Sequence, residues 1–167
     1  ARLLRAQGVQ RLVGADLRPE AIARFRALGG EPLSLPEVMA EADIVVATTG
    51  VRGLIKPEWV RPGQIVFALS NPDAEIEPLV ALERGAVFAA DGKGINNVAA
   101  FPGLFKGALE AAVPRFTDEM LVAAAHALAK RAGPEELLPD PLNLDTHRAV
   151  TAAVRAAAID PVSTALL

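Results

Sequence analysis

The sequence predicts an α/β fold: a parallel sheet with helices on both faces, followed by a helical segment. Three observations predict it. Short apolar runs of strand length (QRLVGAD, DIVVAT, QIVFAL and AVFAA) alternate with amphipathic stretches of helix length between residues 10 and 90. The middle runs are apolar at consecutive positions, as in parallel strands buried on both faces. From Asn97 onward such runs cease, and apolar residues recur at helical spacing.

Each element follows in order. ARLLRAQG reads as the end of a helix that Gly8 stops, and QRLVGAD as a strand ending near Asp16. Pro19 opens a helix that the Gly29–Gly30 pair closes. Residues 31–34 form a short strand. Ser34-Leu35-Pro36-Glu37 has capping-box spacing and starts a helix running to about Glu41. DIVVAT is a strand, residues 49–53 a glycine-punctuated loop and residues 56–60 a short helix. QIVFAL is the next strand, residues 70–73 a loop and residues 74–84 a helix. AVFAA is the last strand, with a loop over residues 91–95. Residues 98–112 read as a helix bent or interrupted at Pro102-Gly103. Thr117 caps a helix to about Lys130, with Asp118 and Glu119 at its positive end and Met120, Leu121, Ala124, Ala125 and Leu128 on its apolar face. Residues 133–144 are proline-rich and irregular. A final helix starts near Thr146, with Val150, Val154 and Ala157 on one side.

This order is Rossmann-like. In that fold a glycine fingerprint joins the first strand to the first helix, and an acidic residue about 20 positions later meets the adenosine ribose. Asp16 suits the acidic role, and counting back from it runs off the N-terminus. The first strand and fingerprint are therefore expected to be missing from this chain. Residues 1–112 are read as the N-terminally incomplete nucleotide-binding domain, and residues 113–167 as a helical extension packed on it.

Composition narrows the function. The 167 residues carry a net charge of −3, with scattered basic residues, which argues against a nucleic-acid footprint. No apolar run approaches the roughly 20 residues that span a bilayer. There is no signal-peptide block at the N-terminus, so a cytoplasmic location is expected. No cysteine is present, which removes disulfides, thiolate metal sites and cysteine nucleophiles. No tyrosine is present either, and there are four lysines: Lys56, Lys93, Lys106 and Lys130.

Ligands of open parallel sheets bind beyond the carboxyl ends of the strands. Three loops leave such ends: Thr48-Thr49-Gly50, Ser70-Asn71-Pro72 and Asp91-Gly92-Lys93. The first is small and polar, as close backbone approach to a cofactor requires; it reads equally as a simple turn. In the second, Pro72 holds Asn71 toward extended backbone. A carboxamide both donates and accepts, so Asn71 suits a carboxylate or a nicotinamide amide, or else an Asx turn. Asn96 and Asn97 follow the third strand end. One of them can cap a helix, and the other is left beside free backbone N–H groups, a ready anion site.

These residues carry a resemblance. VFALSNPDAEIEP, then GINNVAAFPGLFKGALEA, then FTDEMLVAAAHALA, with ADIVVATTGVRGLI before them, resemble the C-terminal part of the NAD(P)-binding domain of malic enzymes. The resemblance runs from about Asp43 to the C-terminus. It implies oxidative decarboxylation of malate to pyruvate with NAD or NADP and a divalent metal, Mg or Mn. It places Asn71 against malate and the nicotinamide, and Asn97 with Asn96 against the substrate carboxylate. It also places Asp16 near the adenosine ribose, and Thr48, Thr49 and Gly50 beside the cofactor. The family's tyrosine acid, lysine base and carboxylate metal ligands lie upstream of the matched region. The chain is thus expected to be inactive alone, to need an N-terminal catalytic portion, and to form a homo-oligomer. Asp16 favours NAD because it repels a 2′-phosphate; Arg18 offsets this by pairing with that phosphate.

Two departures stand out: the segment before Asn96-Asn97 is short, and the stretch after Asp16 is generic. They keep open another NAD(P)-dependent dehydrogenase, for instance one acting on amino acids, or a non-catalytic nucleotide-binding module. His126 and His147 have no metal-ligand spacing and read as structural or exposed. Ser70 and Ser163 lack a nucleophile elbow. Lys93 reads as a solvated charge, and Trp59 and the alanine-rich terminal helices as packing surfaces.

Overall fold

A computed structural model describes residues 1–95, 97–134 and 136–158. It holds α1 (Arg2–Ala6), β1 (Val13–Gly14), α2 (Pro19–Ala27), β2 (Glu31–Pro32), α3 (Leu35–Glu41), β3 (Ile44–Ala47), β4 (Ile65–Ala68), α4 (Pro78–Glu83), β5 (Phe88–Asp91), α5 (Phe101–Glu110), α6 (Asp118–Ala129) and α7 (Leu144–Ala158). Two 3-10 turns, Pro57–Trp59 and Asn97–Ala99, stand beside them. The chain divides into two compact units. One is Ala1 with Val9–Asn96; the other is Arg2–Gly8 with the chain from Asn97 onward.

The first unit is a Rossmann-like α/β body in which every strand pair is parallel. β1 pairs with β2, and β3, β4 and β5 pair in that order.

Local chemistry explains the elements. The Ser34–Glu37 capping box forms: the Glu37 carboxylate accepts from the Ser34 N–H at 2.8 Å and from its hydroxyl at 2.6 Å. Under one face of the three-stranded sheet, Val45, Ala47, Val66 and Ala68 pack with Met39, Ile55, Val60, Ile76 and Ala81. On the other face Ile44 is 58 % and Val46 54 % exposed. β3 therefore alternates and is covered on one side, where its unbroken apolar run predicted burial on both.

The helix expected over residues 74–84 is confined to α4. Residues 74 and 75 are instead held by an extended segment: Gly53 N–H donates to the Ala74 carbonyl at 3.2 Å and Ile55 N–H to the Glu75 carbonyl at 3.0 Å. The helix can begin only after them, with Glu77 at the cap and Pro78 inside the first turn.

The second unit is helical. Gly103 and Gly107 let α5 lie against α7: a Cβ on Gly103 would come within 2.7 Å of Val150 Cβ, and one on Gly107 within 2.8 Å of Val154 Cβ. Pro102 thus does not bend a long helix. It sits in the first turn of α5, after the separate turn Asn97–Ala99. Thr117 caps α6 as expected, its hydroxyl accepting from Met120 N–H at 3.3 Å. On the expected apolar face of α6, Met120, Ala124 and Leu128 are buried and Ala125 is exposed. α1 belongs to this unit through an Arg2–Asp118 ion pair at 2.8 Å and a Gln7–His126 contact at 2.8 Å. The contact boundary falls between residues 96 and 97, where the sequence division fell after residue 112; the glycine face of α5, turned to α7, accounts for the difference.

Candidate functional site

The parallel register ends β3, β4 and β5 together at Ala47, Ala68 and Asp91. The three loops that leave this edge are stitched to one another. Their centre is Glu75, which is 0 % exposed. Its Oε1 accepts from the Thr49 N–H at 2.6 Å, the Thr49 hydroxyl at 2.9 Å and the Ser70 hydroxyl at 2.6 Å. Its Oε2 accepts from the Ser70 N–H at 3.4 Å. The Ser70 oxygen in turn accepts from the Gly50 N–H at 2.8 Å. Burial alone would push the Glu75 carboxyl up. The Ser70 and Thr49 donors outweigh it and hold the group below its ordinary value, so the buried group is a carboxylate. No cationic side chain pairs with it among the described residues; its charge is balanced by N–H and O–H dipoles.

The third loop joins through Asn71, whose Nδ2 donates to the Gly92 carbonyl at 3.0 Å. Gly92 is required there, because a Cβ would strike the Leu69 carbonyl oxygen and come within 2.7 Å of Asn71 Nδ2. Asp91 Oδ1 folds the rest of this loop, accepting from the Lys93 and Gly94 N–H groups at 3.0 Å each. The Asn71–Pro72 peptide bond is cis. Asn71 itself is exposed. One of its N–H groups is used on Gly92, and among the described residues its Oδ1 and second N–H take no further partner. The result is a single carboxamide of fixed orientation at the sheet edge, next to the small polar backbone of Thr48, Thr49 and Gly50, all three exposed.

Asp16 lies just past the carboxyl end of β1. Both its oxygens are engaged by Arg18: Oδ1 accepts from the Arg18 N–H at 2.9 Å and Nε at 3.1 Å, and Oδ2 from Nη2 at 3.0 Å. The Arg18 side chain holds the Asp16 carboxyl down to about 2. The expected acidic residue is therefore present with its charge balanced by its own loop.

The sequence-predicted residues thus divide. Thr48, Thr49, Gly50 and Asn71 meet at one edge. Asn96 lies outside the described residues. For Asn97 the backbone opens the turn Asn97–Ala99. The cap position of α5 is Ala100. His126 contacts Gln7, Lys56 sits over the Trp59 ring at 5.2 Å, Lys93 is exposed, and Ser163 lies outside the described residues. Glu75 was read as a helical residue, and Ser70 as part of the strand-end loop Ser70-Asn71-Pro72 without a nucleophile elbow. In the sequence Glu75 is one of three alternating acidic residues, Asp73, Glu75 and Glu77, and nothing local distinguishes it from the other two. Among the described residues no group of three or more His, Asp or Glu side chains is placed to hold a metal ion. No described helix is long and apolar enough to cross a membrane.

Comparison with known proteins adds the following. The family described as "Malic enzyme, NAD binding domain" matches residues 90–160. NAD-dependent malic enzyme 1 of Bacillus subtilis is 48 % identical over 162 residues, 96 % of this chain and 37 % of that protein. The bifunctional malic/malolactic enzyme of the same organism is 34 % identical over 158 residues, 87 % of this chain and 38 % of that protein. Among solved structures, the malic enzyme of Pyrococcus horikoshii superposes with a TM-score of 0.80 at 30 % identity, covering 96 % of this chain and 45 % of that one. The NAD-dependent malic enzyme of Thermotoga maritima gives 0.73 at 30 % identity, over 84 % and 40 %. The chain therefore spans about two fifths of the length of these relatives.

Proposed function

We propose that this chain, a segment of the malic enzyme NAD-binding domain by sequence and fold, supplies the cofactor and substrate contacts for oxidative decarboxylation of malate to pyruvate. The observation that carries the proposal is Asn71. Its carboxamide is fixed by Gly92 and exposed at the carboxyl edge of a parallel sheet, beside the Thr48-Thr49-Gly50 backbone. Such an edge is where open α/β sheets take their ligands.

The residues present suit a nicotinamide dinucleotide. Asp16, at the end of β1, suits the ribose hydroxyls, and exposed small residues at 48–50 allow close backbone approach. When bound, the nicotinamide accepts a hydride from malate. The protein's own groups orient the reactants: Asn71 Oδ1 accepts from the nicotinamide amide or the malate hydroxyl, and its free N–H donates to a carboxylate. Asn96 and Asn97 are proposed as further grips on the substrate carboxylate. Asp16 favours NAD, and Arg18 keeps NADP within reach by offering a cation to a 2′-phosphate.

A divalent Mg or Mn is proposed to be held mainly by residues outside this chain. With no tyrosine, the chain does not supply a tyrosine acid. It is proposed to be inactive alone and to act with an N-terminal catalytic portion in a cytoplasmic homo-oligomer. The test uses the full-length gene product with malate, Mn²⁺ and either NAD or NADP. Reduced-nicotinamide absorbance with matching pyruvate is expected. A folded protein that reduces neither cofactor rejects the proposal, as does malate oxidation by the 167-residue chain alone.

A further inference from the structure

We propose that Glu75 is a positioning residue: its buried carboxylate sets the Thr49-Gly50 and Ser70-Asn71 loops in one geometry, so that cofactor-side and substrate-side contacts form together. The inference rests on the site proposed above and adds what holds it. Four donors converge on this side chain, two from each loop, and Gly50 joins through the Ser70 oxygen. The backbone on either side of the carboxylate is anchored as well, by Gly53 on Ala74 and Ile55 on Glu75 itself, so the carboxylate is a fixed point.

A structural carboxylate with no cation is an expensive choice for a core. An apolar residue would fill the same volume but would leave the Thr49 and Ser70 donors unsatisfied. What the carboxylate supplies is direction. An acceptor with two oxygens takes donors from both loops at once, and Oε1 alone takes three of them. Ser70 passes the constraint to Gly50 on one side and, through the chain, to Asn71 on the other. Asn71 then reaches Gly92. One side chain that touches neither ligand thus fixes the loops that do.

Glu75→Gln tests this, because the amide is isosteric but turns one oxygen into a donor that faces the Ser70 N–H. In the full-length gene product, kcat/KM for both malate and the nicotinamide cofactor is expected to fall at least tenfold, with the Tm of the folded protein readable alongside. Ser70→Ala is expected to lower both constants in the same direction. The double variant is expected to cost no more than Glu75→Gln alone, since both act through one network. Multiplying losses in the double variant, or constants within twofold of the parent, overturn the proposal. Amide exchange supplies a readout independent of turnover: the Thr49 and Gly50 amides are expected to exchange at least tenfold faster in Glu75→Gln, while the β3 and β4 amides keep their rates. Unchanged loop exchange overturns the positioning role even if malate proves not to be the substrate. If Glu75→Gln does not fold, Ser70→Ala, which removes one hydroxyl, carries the same exchange measurement at Gly50.

Discussion

At the scale of single residues, two carboxylates show how the surroundings assign a role. Asp16 and Glu75 both sit below their ordinary values, for different reasons. Asp16 is held by the cation of Arg18 at an open surface, and Glu75 by dipoles in the core. Asp16 stays charged throughout any ordinary assay range, so Arg18→Ala exposes an uncompensated negative charge where a 2′-phosphate would sit. In the full-length protein kcat/KM for NADP is expected to fall at least tenfold, and that for NAD by less than threefold; equal losses would remove Arg18 from cofactor choice. For Glu75 the sign follows from linkage. A folded-state pKa below the unfolded 4.5 stabilises the fold above that pH, and the contribution is lost as pH falls through the folded value. Urea unfolding should therefore show Glu75→Gln less stable than the parent at pH 7, with the gap narrowing below about pH 4. A gap that widens on acidification contradicts the ionised state assigned to Glu75. The position of Asp16 just past a strand end was legible in the sequence, because the apolar run before it marks the strand. Glu75 was not, because its partners come from loops 5 and 26 positions away.

At the scale of elements, periodicity located the strands and helices but not what covers them. The run IVVA is apolar throughout, yet its two faces differ, because burial depends on which helices reach each face. Residues 74–77 have helical composition, but Ala74 and Glu75 are claimed by the Gly53–Ile55 segment, a pairing no local pattern encodes. Pro102 and Gly103 read as a helix break, and both are instead used by α5: the proline in its first turn, the glycine for close approach to α7. That approach predicts a cost. Gly107→Ala places a methyl against the Thr151 carbonyl and Val154, and is expected to lower stability by about 1–3 kcal/mol. Thermal melts of the parent and variant chains check it; an unchanged or raised Tm would show that the two helices separate without strain. Gly92→Ala strikes the site itself, since the added carbon meets the Leu69 carbonyl and Asn71 Nδ2. Its expected signature is a raised KM for malate with the helical unit intact by circular dichroism.

At the scale of the whole molecule, the chain is two compact units whose boundary falls at residues 96 and 97, the paired asparagines. The proposed site is built on the edge loops of the α/β unit. Parallel pairing brings the ends of β3, β4 and β5 level, Glu75 ties two of the loops that follow, and Asn71 ties the third. The chain spans about two fifths of the length of the relatives it matches. The most direct measurement is kcat/KM for malate in Asn71→Ala, made in the full-length gene product with Mn²⁺ and its preferred cofactor. A fall of at least tenfold with an unchanged Tm is the predicted result. A value within twofold of the parent would show that the exposed carboxamide at the sheet edge does not hold the substrate.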